Sequence, residues 1–481
     1  MSPPKRTENP VVRLVVLYLV MLAFAIIGYL VIRAGGLTLP AGMPAVLHET
    51  AAKGLTTEPL AHVLFALAII TIAARGTGLL FQRFLNQPPV IGEILAGLAL
   101  GPSLLGFFSP ELQNFVLPAA AAPLIGIIAK FGVVLFMFLV GLELDLKILK
   151  QSSQATVVIS HASIIAPFLL GAVLALGLYP LYATADVSFT VFSLFIGVSM
   201  SVTAFPVLAR ILTDRRVQRT RIGTLALACA AVDDATAWTL LAFVAGVASA
   251  KTAGIAWTIG LSIVFIIAMF WIARPLMRKL AEREEKNTAP MSQGVLAVVC
   301  IALLLAGSAT EFIGIHALFG AFLLGAIMPH HGRLAEQVRL RMEDVVVVLL
   351  LPAFFAFTGM RTQVGLLHTT ADWLAVLAII AVATAGKFGG SFIAARLVGM
   401  GWREAGAIGI LMNTRGLMEL IALNLGLEMG VISPKLFAML VIMALVTTFA
   451  TTPILNLIMG KRGFGDEPAA PLQDVQRAQH S

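Results

Sequence analysis

Asp233 and Asp234 stand side by side inside the apolar run Leu225–Val244, which is long enough to cross a lipid bilayer. One ionised Asp at the centre of a spanning helix costs about 2.5 to 3.5 kcal/mol, so two together need a chemical purpose. Residues of this kind bind ions or carry protons. The structural alternative is a pair that only hydrogen-bonds neighbouring helices. On a helix the two carboxylates point roughly 100° apart, so both can face a shared interior. Lys387 adds a cation to the constellation, in an apolar stretch with Gly386, Gly389 and Gly390 around it. It lies about 15 Å along a helix from Arg396, too deep to reach an interface by stretching, so a carboxylate partner is expected. An unpaired ammonium at that depth would lose its proton.

Helix breakers occur at two other places. Pro206 lacks an amide hydrogen and should free the Val202 carbonyl, while Ser201 and Thr203 offer hydroxyls to the opened turn. Asn413, Thr414, Arg415 and Gly416 interrupt a second apolar stretch. Irregular backbone at membrane depth is tolerated only where protein or a water-filled cavity satisfies it, so both breaks should cross beside the carboxylates. Arg415 and Glu419 are one turn apart; they can pair with each other, or Arg415 can neutralise the half-helix ends, in either case structurally. His161 and His316 could sense pH but read better as packing histidines. Glu143 and Asp145 read as a solvated helix end, and no role follows for Glu93.

The elements that must hold these residues are set by composition. Of 481 residues, 59% are hydrophobic and 12% charged, and the mean hydropathy of +0.95 excludes an ordinary soluble domain. Apolar segments of spanning length fall near 11–33, 59–83, 88–106, 121–144, 155–180, 188–213, 221–248, 254–277, 292–309, 315–329, 343–361, 372–396, 403–426 and 434–459. The net charge of +8 comes from cations in every second loop, among them Lys147, Lys150, Arg215, Arg216, Arg219, the stretch 274–286, Arg333, Arg403 and Lys461. The loops between hold isolated cations such as Lys251, Arg361 and Lys435. That alternation is a topology signal rather than a nucleic-acid surface, and it predicts a cytoplasmic C-terminus. The first segment follows Lys5, Arg6 and Arg13 and reads as a retained anchor, because its apolar run exceeds a signal-peptide core. Cys229 and Cys300 lie in apolar runs and imply neither disulfide nor metal cluster. No phosphate-binding glycine loop is present, so transport must draw on an ion gradient.

The chain also repeats itself. The stretch from Gly197 aligns with that from Gly409, Phe136-Met-Phe-Leu-Val-Gly-Leu with Phe354-Phe-Ala-Phe-Thr-Gly-Met, and Gly92-Glu-Ile-Leu-Ala-Gly with Gly320-Ala-Phe-Leu-Leu-Gly, all at offsets of about 220 residues. Six helices per half, separated by the one at 254–277, put matching elements in opposite orientations. This is the inverted-repeat plan of secondary transporters, with a midplane site built from interrupted helices.

Gln87-Pro-Pro-Val-Ile-Gly-Glu-Ile, Gly101-Pro-Ser-Leu-Leu-Gly, Gly141-Leu-Glu-Leu-Asp, Ser201-Val-Thr-Ala-Phe-Pro, Val232-Asp-Asp-Ala-Thr-Ala-Trp and Met412-Asn-Thr-Arg-Gly-Leu-Met-Glu together resemble the monovalent cation/proton antiporter-2 family over about residues 59–459. The resemblance implies an all-α, thirteen-helix inverted-repeat antiporter fold with discontinuous crossing helices, here with one extra N-terminal helix. It implies a homodimer in which a core, 155–250 plus 368–460, slides against a dimerisation panel, 59–150 plus 292–361. The remaining parts are an N-terminal region 1–58 (cytoplasmic tip, extra helix, external loop), a linker helix 254–277 and a cytoplasmic tail 461–481. Asp234 matches the family's ion- and proton-binding carboxylate, and Asp233 the one that pairs with the buried lysine, here Lys387. Thr203 falls in the unwound crossover, where it can coordinate the ion. Gated potassium efflux systems of the same branch carry a nucleotide-binding domain after the last helix and usually Gln for the first Asp. This chain ends about twenty residues beyond its last helix and keeps both acids, against that reading.

The expected activity is therefore exchange of Na⁺ or K⁺ for protons across the inner membrane, electrogenic, without a cofactor or nucleic-acid partner. If Asp234 must be protonated or cation-bound to move through low dielectric, proton and cation compete and antiport follows. Other readings are a sodium-coupled organic-solute symporter on a similar repeat, which the adjacent acids and Lys387 disfavour, and a membrane enzyme, for which no metal cluster or nucleophile–base pair is visible.

Overall fold

A computed structural model describes residues 10–40, 59–85, 87–118, 121–143, 154–215, 217–218, 220–249, 255–286, 291–329 and 332–459. Asp145, the loop cations Lys147, Lys150, Arg216, Arg219 and Lys251, and the tail 461–481 lie outside these residues. Among the described residues every regular element is helical. Twelve helices are long and apolar enough to cross a membrane, and one bent pair makes a thirteenth crossing. One shorter apolar helix, Ala317–Ile327, accounts for the remaining expected segment. The chain is a multi-pass membrane protein.

Leaving aside the short helices Leu105–Phe108 and Pro110–Val116, the helices in chain order are α1 (Pro10–Gly36), α2 (Pro59–Leu85), α3 (Pro89–Leu100), α4 (Ala122–Glu143), α5 (Gln154–Tyr182), α6 (Phe189–Ser201), α7 (Phe205–Asp214) and α8 (Arg221–Ser249). Next comes α9 (Ile255–Ala268), which runs on through a π turn to Glu285 and is longer than the sequence pattern indicated. Then follow α10 (Gln293–Ile313), α11 (Ala317–Ile327), α12 (Arg333–Leu366 as one span), α13 (Thr370–Leu397 as one span), α14 (Trp402–Met412), α15 (Leu417–Glu428) and α16 (Pro434–Met459). The charged first turns of α12 project beyond the apolar stretch, which is why the apolar pattern alone begins it ten residues late.

Packing follows the repeat. Helices α2, α3, α4, α10, α11 and α12 pack on one another, and so do α5 to α8 with α13 to α16. The repeated glycines explain how the first group closes. A Cβ on Gly359 of α12 would fall on the Gly97 carbonyl carbon of α3, and one on Gly141 of α4 on the Phe322 carbonyl oxygen of α11, where Gly325 reciprocates against Phe138. Gly97 aligns with Gly325 and Gly141 with Gly359, so each half lends one glycine to each of two equivalent backbone crossings. Lipid offers no hydrophobic drive between helices, and small residues gain association by letting backbones touch. Helix α1 lies against α5 and α6, where the Tyr29 hydroxyl donates to the Thr190 carbonyl at 3.2 Å and Arg33 Nε to Thr190 Oγ1 at 3.0 Å.

Candidate functional site

Both expected interruptions are real and they meet. The first occupies Val202–Ala204 between α6 and α7, the second Asn413–Gly416 between α14 and α15, whose axes differ by 41°. Pro206 sits in the first turn of α7 rather than kinking a continuous helix. There its missing N–H costs nothing, since first-turn amides have no partner within the helix. The Ala204 amide donates to the Thr414 carbonyl at 3.0 Å, tying one break to the other. Ser201 Oγ lies between the Gly197 and Ile164 carbonyls, at 2.8 and 3.0 Å.

Arg415 resolves the choice left by its spacing by doing both things at once. Its Nη1 donates to Glu419 Oε2 at 2.8 Å and to the Ser199 carbonyl at 2.6 Å, and Nη2 to the Met200 carbonyl at 2.6 Å. Ser199 and Met200 are in the last turn of α6, whose carbonyls carry the negative end of the helix dipole, so the guanidinium neutralises that end and a carboxylate together. Thr448 on α16 closes the second break: its hydroxyl donates to the Arg415 carbonyl at 2.8 Å and faces the Arg415 amide at 3.1 Å. Asn413 and Thr414 are buried, with Asn413 Oδ1 and Thr414 Oγ1 lacking hydrogen-bond partners.

The unbroken α8 carries both acids past this crossing, and its phase separates them. Asp233 points among α5, α13 and the first break, with 0% exposure. Its Oδ1 accepts from Ser160 at 2.7 Å, and its Oδ2 accepts from Ser163, from Thr203 Oγ1 at 2.9 Å and from Lys387 Nζ at 2.9 Å. Lys387 also reaches Thr203 Oγ1 at 2.5 Å and Ser163 Oγ at 3.0 Å, so all three of its hydrogens have partners. The lysine is placed by a π turn, Ala385–Gly389, within α13. Such a turn inserts a residue into the helix and re-aims one side chain, a device common at functional sites. Gly386 and Gly390, against Pro167 and Ala162 of α5, let that turn approach closely enough for the contact.

Asp234 faces elsewhere. Neither of its buried oxygens makes a hydrogen bond, although the Phe205 amide that opens α7 is close enough to act on it electrostatically. On the same face of α8, Ala231 packs with Ala326 of α11 beside Phe205, Ala235 and Phe322. Trp238, one turn on, has its ring centroid 6.0 Å from Phe319 and 6.3 Å from Phe322, also on α11. Asp234 therefore lies on the seam between the two helix groups, 3% exposed.

Of the residues singled out from sequence, Asp233, Lys387 and Thr203 form one contact cluster, Arg415 and Glu419 a second, and Asp234 stands apart at the seam. Sequence reading missed Ser160, Ser163 and Thr448. His161 has its Nδ1 2.8 Å from the Val157 carbonyl, a local packing arrangement. His316 instead opens α11 with a φ of 75°, 3.9 Å from both Glu311 and Glu428, so it is not the packing histidine expected. Glu143 is an exposed helix end, and Glu93 has Arg75 at 3.6 Å. Among the described residues no group of three His, Cys, Asp or Glu side chains could hold a metal ion, and both cysteines are free.

The profile of the family described as "sodium/hydrogen exchanger, transmembrane" matches residues 67–458. The chain belongs to the sodium/hydrogen exchanger family. It is 44% identical over 403 residues to the Na⁺/H⁺ antiporter NhaS4 of Synechocystis, a match covering 83% of this chain and 98% of the relative. It is 38% identical to cation/H⁺ antiporter 20 of Arabidopsis thaliana and 34% identical to K⁺/H⁺ antiporter 1 of Saccharomyces cerevisiae, over 81% and 84% of this chain. The match spans about half of those two longer relatives, 48% and 47%. The solved sodium/proton antiporter MjNhaP1 of Methanocaldococcus jannaschii shares the fold, with a TM-score of 0.55 at 15% identity over 83% of this chain and 96% of that one. A member of the exchanger family is a secondary transporter of monovalent cations and protons, not an enzyme.

Proposed function

We propose that this exchanger trades Na⁺ or K⁺ for protons at Asp234, with the core (155–250 and 368–460) sliding against the panel (59–150 and 292–361) and two chains pairing through their panels. One observation carries the reading. Among the described residues, Lys387 meets Asp233 and Arg415 meets Glu419, while Asp234 has no ion-pair partner. A bare carboxylate moving through low dielectric is penalised, whereas a proton or a monovalent cation makes it neutral, so one or the other must be aboard. Competition for that group couples the cation to the first proton. Thr203, which in this state bonds Asp233 and Lys387, lends an oxygen to the cation once Lys387 lets go, while the α6 and α15 half-helices set the local field.

The lysine supplies the second proton. When the cation arrives, Lys387 loses its proton and its link to Asp233, so two protons exchange for one cation and one net charge crosses. The loop charges orient the chain with its C-terminus in the cytoplasm of a cell whose inner membrane it spans. The names of relatives point to Na⁺ in one case and K⁺ in another; both ions take hard oxygen ligands.

The test uses proteoliposomes with an enclosed pH dye, challenged in turn by Na⁺, K⁺ and Li⁺. Native protein should move protons against at least one of these, and Asp234→Asn should move none. Cation-driven proton flux that survives in Asp234→Asn would sink the assignment.

A further inference from the structure

Two adjacent carboxylates would ordinarily offer a divalent ion a better home than a monovalent one, because affinity for Ca²⁺ rises with the number of charged oxygens that converge on it. We infer that Ser160 and Ser163 are positioning residues that keep Asp233 turned away from Asp234 and so hold this site to one carboxylate and to monovalent ions. The inference rests on Asp234 being the exchange carboxylate. Ser160 and Ser163 are three residues apart on α5, hence on one face of it, and that face meets α8. Both serines are 0% exposed. Ser160 is the partner of Asp233 Oδ1, and Ser163 shares Oδ2 with Thr203 and Lys387. Lys387 and Thr203 thus hold one oxygen of the carboxylate, and without the serines the other is free to turn toward the seam. Cys229, one turn before Asp233, also contacts α5, with Sγ 3.6 Å from the Thr156 carbonyl, a contact that does not involve the serines.

The experiment measures Na⁺- and K⁺-driven exchange in proteoliposomes with increasing Ca²⁺ for native protein, Ser160→Ala/Ser163→Ala and Ser160→Thr/Ser163→Thr. The alanine pair should be inhibited at Ca²⁺ concentrations at least about tenfold lower than native protein, with a changed KM for the monovalent ion, as expected when a second carboxylate joins the ligands. The threonine pair, which keeps both hydroxyls, should behave as native. Unchanged Ca²⁺ sensitivity in a folded alanine pair overturns the proposal, as does a loss confined to kcat. Should the pair not fold, Ser160→Ala alone removes the partner of Oδ1; it must shift Ca²⁺ sensitivity in the same direction, and no shift overturns the proposal equally. The underlying reading fails by a different result, exchange persisting in Asp234→Asn, so the two are distinguishable.

A separate cluster carries a second inference. Glu428 ends α15, and its carboxylate meets Lys130 Nζ of α4 at 2.9 Å and Arg361 Nη1 of α12 at 2.9 Å, with His316 Nε2 at 3.9 Å. One turn deeper, Asn424 Nδ2 of α15 donates to Thr358 Oγ1 of α12 at 2.8 Å. Between these layers lies a cavity of about 30 Å³, lined by Lys130, His316, Asn424 and Glu428 among others. We propose that Glu428 latches the core to the panel at the extracytoplasmic end and favours the state closed on that side, given the sliding reading above. In a background of Cys229→Ala and Cys300→Ala, Leu425→Cys, which lines the same cavity, reports access to a membrane-impermeant maleimide added outside. Glu428→Gln should raise its labelling rate about fivefold, the population shift expected from losing partly exposed ion pairs. Lys130→Ala/Arg361→Ala should act in the same direction. Unchanged labelling in either variant overturns the latch.

Discussion

At the scale of single residues, α8 gives neighbouring acids different environments by rotation alone. Asp233 is surrounded by three hydroxyls and an ammonium, whereas Asp234 shares its face of α8 with Ala231 and Trp238, which pack on α11. Removing one partner of a buried pair leaves an uncompensated charge and costs about 3 to 5 kcal/mol, although the hydroxyls on Asp233 should place Lys387→Ala at the low end of that range. Lys387→Ala should therefore unfold at lower temperature in detergent, and Asp233→Asn/Lys387→Ala should recover part of the loss. Strict additivity of the two single variants would show that the pair does not interact. The charged members of this cluster were legible in the sequence because a charge inside a membrane span is costly enough to demand a reason. Ser160, Ser163 and Thr448 were not. A hydroxyl in an apolar helix can return its hydrogen to its own backbone at little cost, so its presence signals nothing until a neighbour is known. The separation of Asp233 from Asp234 depends on helix phase, which residue adjacency does not encode.

At the scale of elements, the repeat was readable down to its glycines, and the fold supplies the reason they recur: two backbone crossings related by the repeat, Gly97 with Gly359 and Gly141 with Gly325. Gly359→Ala must push α12 away from α3 or strain it, at about 1 to 3 kcal/mol, the usual range for overpacking. Gly76→Ala is the control, since a Cβ there meets nothing within 4 Å. Thermal denaturation should separate the two, with Gly359→Ala destabilised and Gly76→Ala equal to or slightly above native, because alanine favours helix over glycine. Equal stability of both variants would mean that the crossing tolerates a methyl group. What the sequence withheld was the π turn at Ala385–Gly389. Its glycines were visible, but a single inserted residue leaves the apolar pattern of a helix nearly intact. The breaks at Val202–Ala204 and Asn413–Gly416 were visible because polar and helix-breaking residues interrupt apolar faces at equivalent places, and Pro206 begins the half-helix after the first of them.

At the scale of the whole molecule, the stoichiometry turns on whether Lys387 cycles its proton along with Asp234. If it does, two protons move against one cation, and each turnover carries one charge through the membrane potential. Moving one charge through 100 mV is worth about 2.3 kcal/mol, so the cation gradient held at equilibrium should change by about fiftyfold per 100 mV at fixed pH difference. The measurement is the Na⁺ gradient at zero net flux in proteoliposomes, with the potential set by K⁺ and valinomycin. Lys387→Gln removes the second carrier but leaves Asp234 in place. Whatever exchange that variant retains should be one for one and blind to the potential. A native exchanger whose null point ignores the potential would instead mean that Lys387 stays charged and bridged to Asp233 throughout, and that Asp234 alone does the coupling.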